Sequence, residues 1–253
     1  MDQSPQNDRP AVRQISVSDE DAGQRIDNFL ARHLKGVPKS RIYRILRRGE
    51  VRVNRGRVRP QYKIQAGDTV RIPPVRVAAE TGAVIHPVSR LQLADRILLE
   101  NNRVLVLNKP SGIAVHGGSG LSYGIIEALR AERPQAPYLE LAHRLDRETS
   151  GCLVIAKRRS FLRAFHEQLR HNRVVKKYLA LVSGDWPEGK TTVDAPLRKH
   201  SIRGGERMVT VDSTGKQATT VFTPVSRYSG AALVEVELKT GRTHQIRVHA
   251  MHK

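Results

Sequence analysis

Between Ala31 and Pro60 the chain carries eleven lysines and arginines against a single acid, Glu50. That imbalance lies over a helical apolar period. Ile26, Phe29, Leu30 and Leu34 follow i, i+3, i+4, i+8 and predict one apolar helix face. Gly36-Val37-Pro38 breaks the pattern. A second helix is expected from about Ser40, with Ile42, Ile45 and Leu46 inward, Arg41, Arg44 and Arg48 on another side, and Gly49 ending it. Short strands are expected at Val51-Arg52-Val53 and Val58-Arg59 around the turn Asn54-Arg55-Gly56, and at Thr69–Ile72 after Ala66-Gly67-Asp68. A solvated face mixes signs, whereas a one-sign cluster on a folded unit reads as a surface for phosphates. The whole chain follows suit: 253 residues, net charge +20.

Two short helices and a small sheet in about sixty residues resemble the alpha-L RNA-binding module. The strings Arg25–Leu30, Lys39-Ser40-Arg41 and Gly49–Asn54 carry the likeness in order and spacing. Within that module Lys39, Arg41, Arg44, Arg48 and Arg52 are the expected RNA contacts. The reading divides the chain into a flexible N-terminal segment 1–15, the module at 16–76, a linker at 77–94 containing Gly82 and Pro87, and a larger domain at 95–253.

Composition narrows the remaining classes. One cysteine, Cys152, leaves no disulfide framework and no four-cysteine metal site. No apolar run approaches the ~18 residues of a membrane span, and the polar N-terminus has no secretory h-region. A cytoplasmic monomer is expected. Gly117-Gly118-Ser119-Gly120 lacks the spacing of a phosphate loop or a dinucleotide fingerprint, so it reads as a loop. His244, His249 and His252 lack the carboxylate partner of a zinc motif, and no metal is expected.

In the larger domain, Val104–Leu107, Leu153–Ala156, Tyr178–Val182 and the alternating Val234, Val236, Leu238 read as strands. Ser122 is expected to cap a helix carrying Ile125, Ile126 and Leu129. Ser160 is expected to cap another, with Leu162, Phe165 and Leu169 on one face. Strands joined by hairpin-length links favour an α+β fold with a mixed, mostly antiparallel sheet. Before the Leu153 strand stands His143-Arg144-Leu145-Asp146-Arg147-Glu148-Thr149-Ser150-Gly151. Asp146 sits between two arginines, whose charge favours its ionised form. Such an aspartate is a poor general acid and a usable nucleophile or base. Thr240–His249 reads as a tight turn and a helix capped by Thr243, whose N-terminus, with Arg242 and His244, could receive a phosphate.

The nine residues His143–Gly151 resemble the signature of the RluA family of pseudouridine synthases. Asn108–Gly112, Lys177-Tyr178 and Gly241–Arg247 match its other blocks in the same order. The likeness covers nearly the whole chain after Ile15. It implies isomerisation of uridine to pseudouridine in RNA without a cofactor. By resemblance Asp146 is the nucleophile, Arg247 pairs with it and Tyr178 stacks on the uracil. His143, Arg144 and Leu145 join Arg242 and His244 at the substrate, with Arg144 filling the space a flipped base leaves. Gly36–Ser40 and Ala114–Ser122 resemble the branch acting on large-subunit ribosomal RNA. A tRNA-directed enzyme and a non-catalytic RNA-binding protein are the alternatives. A metal-dependent nuclease lacks the clustered carboxylates it needs. Relatives continue past the Arg247 helix with a Gly-His-Pro segment, so the C-terminal part of the catalytic domain is expected to be missing here.

Overall fold

The computed structural model describes residues 11–34, 36–75, 92–117, 123–201 and 207–253. The chain forms two compact units, divided after Leu91.

The first unit holds β1 (Arg13–Ser16), α1 (Ile26–His33), α2 (Lys39–Arg47), β2 (Arg52–Val53), β3 (Gly56–Arg57) and β4 (Thr69–Ile72). The sheet order is β1-β4-β2-β3, antiparallel throughout. Ile26, Phe29 and Leu30 of α1 and Ile42, Ile45 and Leu46 of α2 meet Val53, Val70 and Ile72 in one core. The apolar period therefore does what it predicts. Asp27 is buried beside that core, yet Arg25 donates to both its oxygens at 3.1 and 2.6 Å and the Tyr43 hydroxyl donates at 2.7 Å. Burial pushes its carboxyl pKa up, and these donors outweigh it, holding the group below 3.8.

Two expectations shift here. β1 starts at Arg13, inside the stretch expected to be a flexible terminus, because β4 offers it a full ladder from Ile72 to Thr69. The hairpin turn is two residues long, Asn54-Arg55, both with positive φ (48° and 68°). That is the twist-matched geometry for a two-residue hairpin, and it places the return strand at Gly56–Arg57 rather than Val58-Arg59.

The second unit is α+β. Leu93, fully buried in a 3₁₀ turn over Leu93–Arg96, already belongs to it. One sheet contains β5 (Ile97–Glu100), β6 (Val104–Lys109), β7 (Glu140–Leu141) and β8 (Gly151–Ala156), in the order β5-β6-β8-β7. α3 (Ile125–Glu132) buries Ile125, Ile126, Ala128 and Leu129. α4 (Arg159–Arg170) keeps Leu162, Phe165 and Leu169 only half-buried. A second sheet runs β10-β13-β14-β9, from β9 (Lys177–Ser183), β10 (Thr191–Asp194), β13 (Thr219–Tyr228) and β14 (Ala231–Leu238). β11 (Leu197–Ser201) and β12 (Arg207–Val211) form a separate ribbon. α5 (Gln245–His252) sets Ile246 and Ala250 against a core of Trp186, Phe222, Val234 and Val236. All described pairings in this unit are antiparallel.

The cap expectations need correction. α4 starts at Arg159 with no side-chain cap, so Ser160 lies inside the helix. Gly124 is the N-cap of α3, and its N–H donates to Glu127 Oε2 at 2.9 Å. Ser122, Gly118–Gly120 and most of the linker lie outside the described residues.

Phe29 and Phe222 are each fully buried, one in each unit. Phe29→Ala or Phe222→Ala is expected to cost about 3–5 kcal/mol, read as a lower midpoint in denaturant unfolding.

Candidate active site

The site is built where the β6 end meets the loop preceding β8. Lys109, the last residue of β6, has no exposed surface. Its ammonium donates to three backbone carbonyls: Pro110 at 2.8 Å, Ile113 at 2.7 Å and Arg147 at 2.9 Å. Three donors meet three acceptors, so the charged form is fully hydrogen-bonded. Burial lowers the Lys109 pKa, opposed by the negative charges of Glu148 and Asp146. Two further bonds close the clamp. The Ser111 hydroxyl donates to Glu148 O at 2.7 Å, and Arg147 Nε donates to Gly112 O at 3.0 Å. Gly112 supplies the positive φ (84°) that turns the chain back here.

This clamp carries Asp146. The carboxylate stands partly exposed at the start of a turn closed by Thr149 N donating to Asp146 O at 3.1 Å. Tyr178, second residue of β9, is half-buried, and burial together with the Asp146 charge raises its phenol pKa. His244 Nε2 stands 3.9 Å from Asp146 Oδ2.

Arg247 does not make the expected pair. Its side chain is exposed on the first turn of α5, and among the described residues the basic side chain within 4.0 Å of Asp146 is that of His244. The reason is backbone geometry. His244, not Thr243, is the N-cap of α5, and it adopts the left-handed conformation (φ 53°, ψ 23°), which brings its own imidazole to the carboxylate. Non-glycine residues held there concentrate at functional sites.

The rest of that turn is fixed by Gln245, which is buried. Its Oε1 accepts from Arg242 N and the Thr240 hydroxyl, both at 2.9 Å. Its Nε2 donates to Thr219 O at 3.1 Å and Thr220 Oγ1 at 2.9 Å. Thr220 Oγ1 lies 2.8 Å from His249 Nδ1, and His249 Nε2 lies 2.9 Å from Ala195 O. A carbonyl can only accept, so Nε2 carries the proton and Nδ1 takes the threonine hydrogen. Both ring nitrogens of His249 are thus engaged within the fold. Among the described residues no group of three His, Cys, Asp or Glu could hold a metal ion.

The other expected contacts divide. Arg144 is exposed beside Asp146. Arg242 is exposed, with Nε donating to Gln217 O at 3.1 Å. His143 is half-buried, and its Nε2 accepts from Val154 N at 3.0 Å, which fastens the loop to β8. Leu145 is buried and anchors the loop from inside. In the first unit Lys39, Arg44 and Arg48 are exposed, and Arg41 and Arg52 are half-exposed. Lys109, Ser111 and Gln245 are the residues sequence reasoning missed. The available signal was a lysine ending an apolar strand, where the alternation places it on the buried side.

Lys109→Met removes three hydrogen bonds that the buried ammonium gives to the Pro110, Ile113 and Arg147 carbonyls, at a cost of about 1–3 kcal/mol. A lower melting temperature and faster amide exchange around Gly112 and Arg147 are expected by hydrogen-exchange mass spectrometry. Burial also holds the His143 and His249 pKa values below 6.5. The unfolded state then binds more protons, so this stability is full above about pH 6.5 and is lost as pH falls toward the folded values. Melting curves should show a falling midpoint between pH 7 and 5, with a shallower slope in His249→Gln.

Residues 103–252 match the RNA pseudouridylate synthase family, and residues 24–70 match the S4 domain. The chain is 58% identical over 247 residues to ribosomal large subunit pseudouridine synthase C of Salmonella typhimurium, covering 96% of this chain and 77% of that protein. The enzyme of the same name from Escherichia coli is 57% identical over the same share. Among solved structures, human RNA pseudouridylate synthase domain containing 4 aligns with a TM-score of 0.51 at 30% identity, over 63% of this chain and 65% of that one. An Asp146 loop clamped beside Tyr178 and His244, and a basic two-helix module earlier in the sequence, agree with these matches: the chain belongs to the RNA pseudouridylate synthase family and carries an S4 domain ahead of the synthase domain in sequence.

Proposed function

We propose that this protein isomerises uridine to pseudouridine in large-subunit ribosomal RNA, with Asp146 as the catalytic residue. The observation that carries the reading is the Asp146 carboxylate, part-exposed on a loop tied by Lys109 and Ser111 and bordered by Tyr178 and His244. The 57–58% identity to enzymes named for the large ribosomal subunit supports the substrate.

In this reaction the N1–C1′ bond breaks, the uracil turns, and C5 bonds to C1′. The C5 proton then leaves and N1 gains one, so reactant and product have the same atoms and no redox partner is consumed. A carboxylate serves as nucleophile or base only while ionised. Tyr178 has the reverse bias. Its raised pKa keeps the phenol protonated at neutral pH, which suits stacking on the uracil and not proton removal. Arg247, exposed on α5, and Arg242 supply positive charge to an approaching RNA phosphate.

Reaching a stacked uridine requires flipping it out, at a cost of a few kcal/mol. Arg144, exposed two residues before Asp146, fills the gap. Lys39, Arg41, Arg44, Arg48 and Arg52 of the S4 domain offset that cost through phosphate contacts. The protein acts on this substrate as a monomer in the cytoplasm, where ribosomal RNA is assembled. Among the described residues no helix is long and apolar enough to cross a membrane.

Asp146→Asn keeps shape and removes the charge. With large-subunit ribosomal RNA transcripts, pseudouridine detected by carbodiimide-dependent primer extension is expected to fall by at least about 10³-fold. Filter binding should show RNA affinity retained. Turnover at the parental rate would refute the assignment. Product on tRNA alone would move the substrate.

A further inference from the structure

The pairing of β7 with β8 breaks off in the middle of a rung. Glu140 faces Ala156 and Leu141 faces Ile155, so the register sets Ala142 opposite Val154. Half of that rung is present, with Ala142 N donating to Val154 O at 2.9 Å. A closely spaced antiparallel pair exchanges two bonds, and the second would run from Val154 N to Ala142 O. Side chains take its place. Val154 N donates to His143 Nε2 at 3.0 Å, and Ala142 O lies 2.9 Å from His166 Nε2. A carbonyl can only accept, so His166 carries a proton on Nε2 and donates it. A backbone N–H can only donate, so His143 Nε2 is bare. One imidazole has taken over the acceptor of a backbone bond and another its donor.

The exchange has a consequence for the chain. Ala142 is buried, so its carbonyl needs a partner from within the fold. A completed rung would hold the peptide after Ala142 against β8 and prolong the strand. With the rung open, the chain turns away there and reaches Asp146 four residues later. His143 belongs to the loop itself, whereas His166 belongs to α4, a helix with no fully buried residue. Phe165, beside His166, lies against the same loop, its ring centroid 6.2 Å from that of His143 and 5.9 Å from that of Phe161. α4 therefore holds the upstream end of the Asp146 loop. Lys109 and Ser111 hold the downstream end, through Arg147 O and Glu148 O.

We infer that His166 is a positioning residue for Asp146: by donating to Ala142 O it keeps the last β7–β8 rung open and fixes where the loop leaves the sheet. It acts through the backbone of that loop and not on the RNA. The inference rests on the reading of Asp146 as the catalytic residue.

The test compares three variants of the full chain. His166→Asn places an amide where the ring Nδ1 stands, too short to reach Ala142 O. His166→Gln places it where Nε2 stands and keeps the bond. Gln168→Ala, on the exposed side of α4, is the control. Pseudouridine formation on a large-subunit ribosomal RNA transcript is followed over a range of transcript concentrations, and hydrogen exchange is followed in peptides spanning residues 142–151. His166→Asn is expected to lower kcat at least about tenfold, because a reacting group misplaced by about 1 Å costs about 10²-fold. Its KM should stay within about twofold, since ground-state binding of RNA does not use this bond. Exchange in the 142–151 peptides should be faster. His166→Gln should regain most of the kcat and the parental exchange, and Gln168→Ala should match the parent in both. Parental kcat in His166→Asn, a loss carried by KM, no recovery with glutamine, or an equal loss in Gln168→Ala would overturn the inference. Parent protein that binds RNA but forms no pseudouridine would refute the catalytic reading, and the exchange rates would still decide whether His166 holds the loop.

Discussion

A lysine ammonium without water needs other acceptors, and at Lys109 the backbone supplies them. The three carbonyls come from two segments far apart in sequence, Pro110–Ile113 and Arg147. One side chain thus determines both how the chain leaves β6 and how it approaches β8. Asp146 precedes Arg147 directly, so its position follows from the same bonds. A neutral side chain of similar length would fill the volume and leave the carbonyls unsatisfied, the costlier defect in a buried setting. The negative charges of Glu148 and Asp146 help keep the ammonium protonated against its burial.

The second wall is organised by a different kind of contact. α5 is short, and His244 opens it in a conformation few side chains accept. What holds it is the Gln245 amide, whose oxygen and nitrogen tie the preceding turn to β13. An aspartate loop from one sheet and an imidazole from beside the other therefore meet with little freedom in either. The S4 domain works through the opposite principle. Its helices spend their apolar faces on a common core, and apart from pairs such as Arg25–Asp27 most of its arginines stay at the surface, open to phosphates.

Sequence periodicity was enough for the S4 helices, because a 3.6-residue apolar pattern there competes with nothing else. Thr69–Ile72 was equally plain from its alternation. β10, β11, β12 and β13 were not. Their residues mix threonine, lysine and proline, and only pairing reveals that Thr219–Tyr228 is the longest strand described. Asp146 stood out through its flanking arginines and the likeness of its string to a family signature. Tyr178 and His244 were among the expected site residues, but that His244 is the basic group nearest the carboxylate was not legible. Lys109 entered only as part of the family-like block Asn108–Gly112, which says nothing of its three carbonyl partners, and the His244 contact accompanies a left-handed backbone that no spacing rule encodes. The expected Arg247 pair is not formed, and Arg247 stays exposed on α5. His143 and Leu145, adjacent to reactive positions in sequence, turned out to support the loop from within.

The line of hydrogen bonds from Gln245 through Thr220 to His249 and Ala195 has a direction. Each donor points the same way, and the threonine hydroxyl both accepts and gives. A second proton on the imidazole would make Nδ1 a donor, and the Thr220 hydrogen would then have to leave its present acceptor. The hydroxyl would receive from both sides with its own hydrogen stranded in the interior. Polarity along a wire of this kind can be read one way only, so the ring's aversion to charge is written into the order of its neighbours as well as into the absence of water.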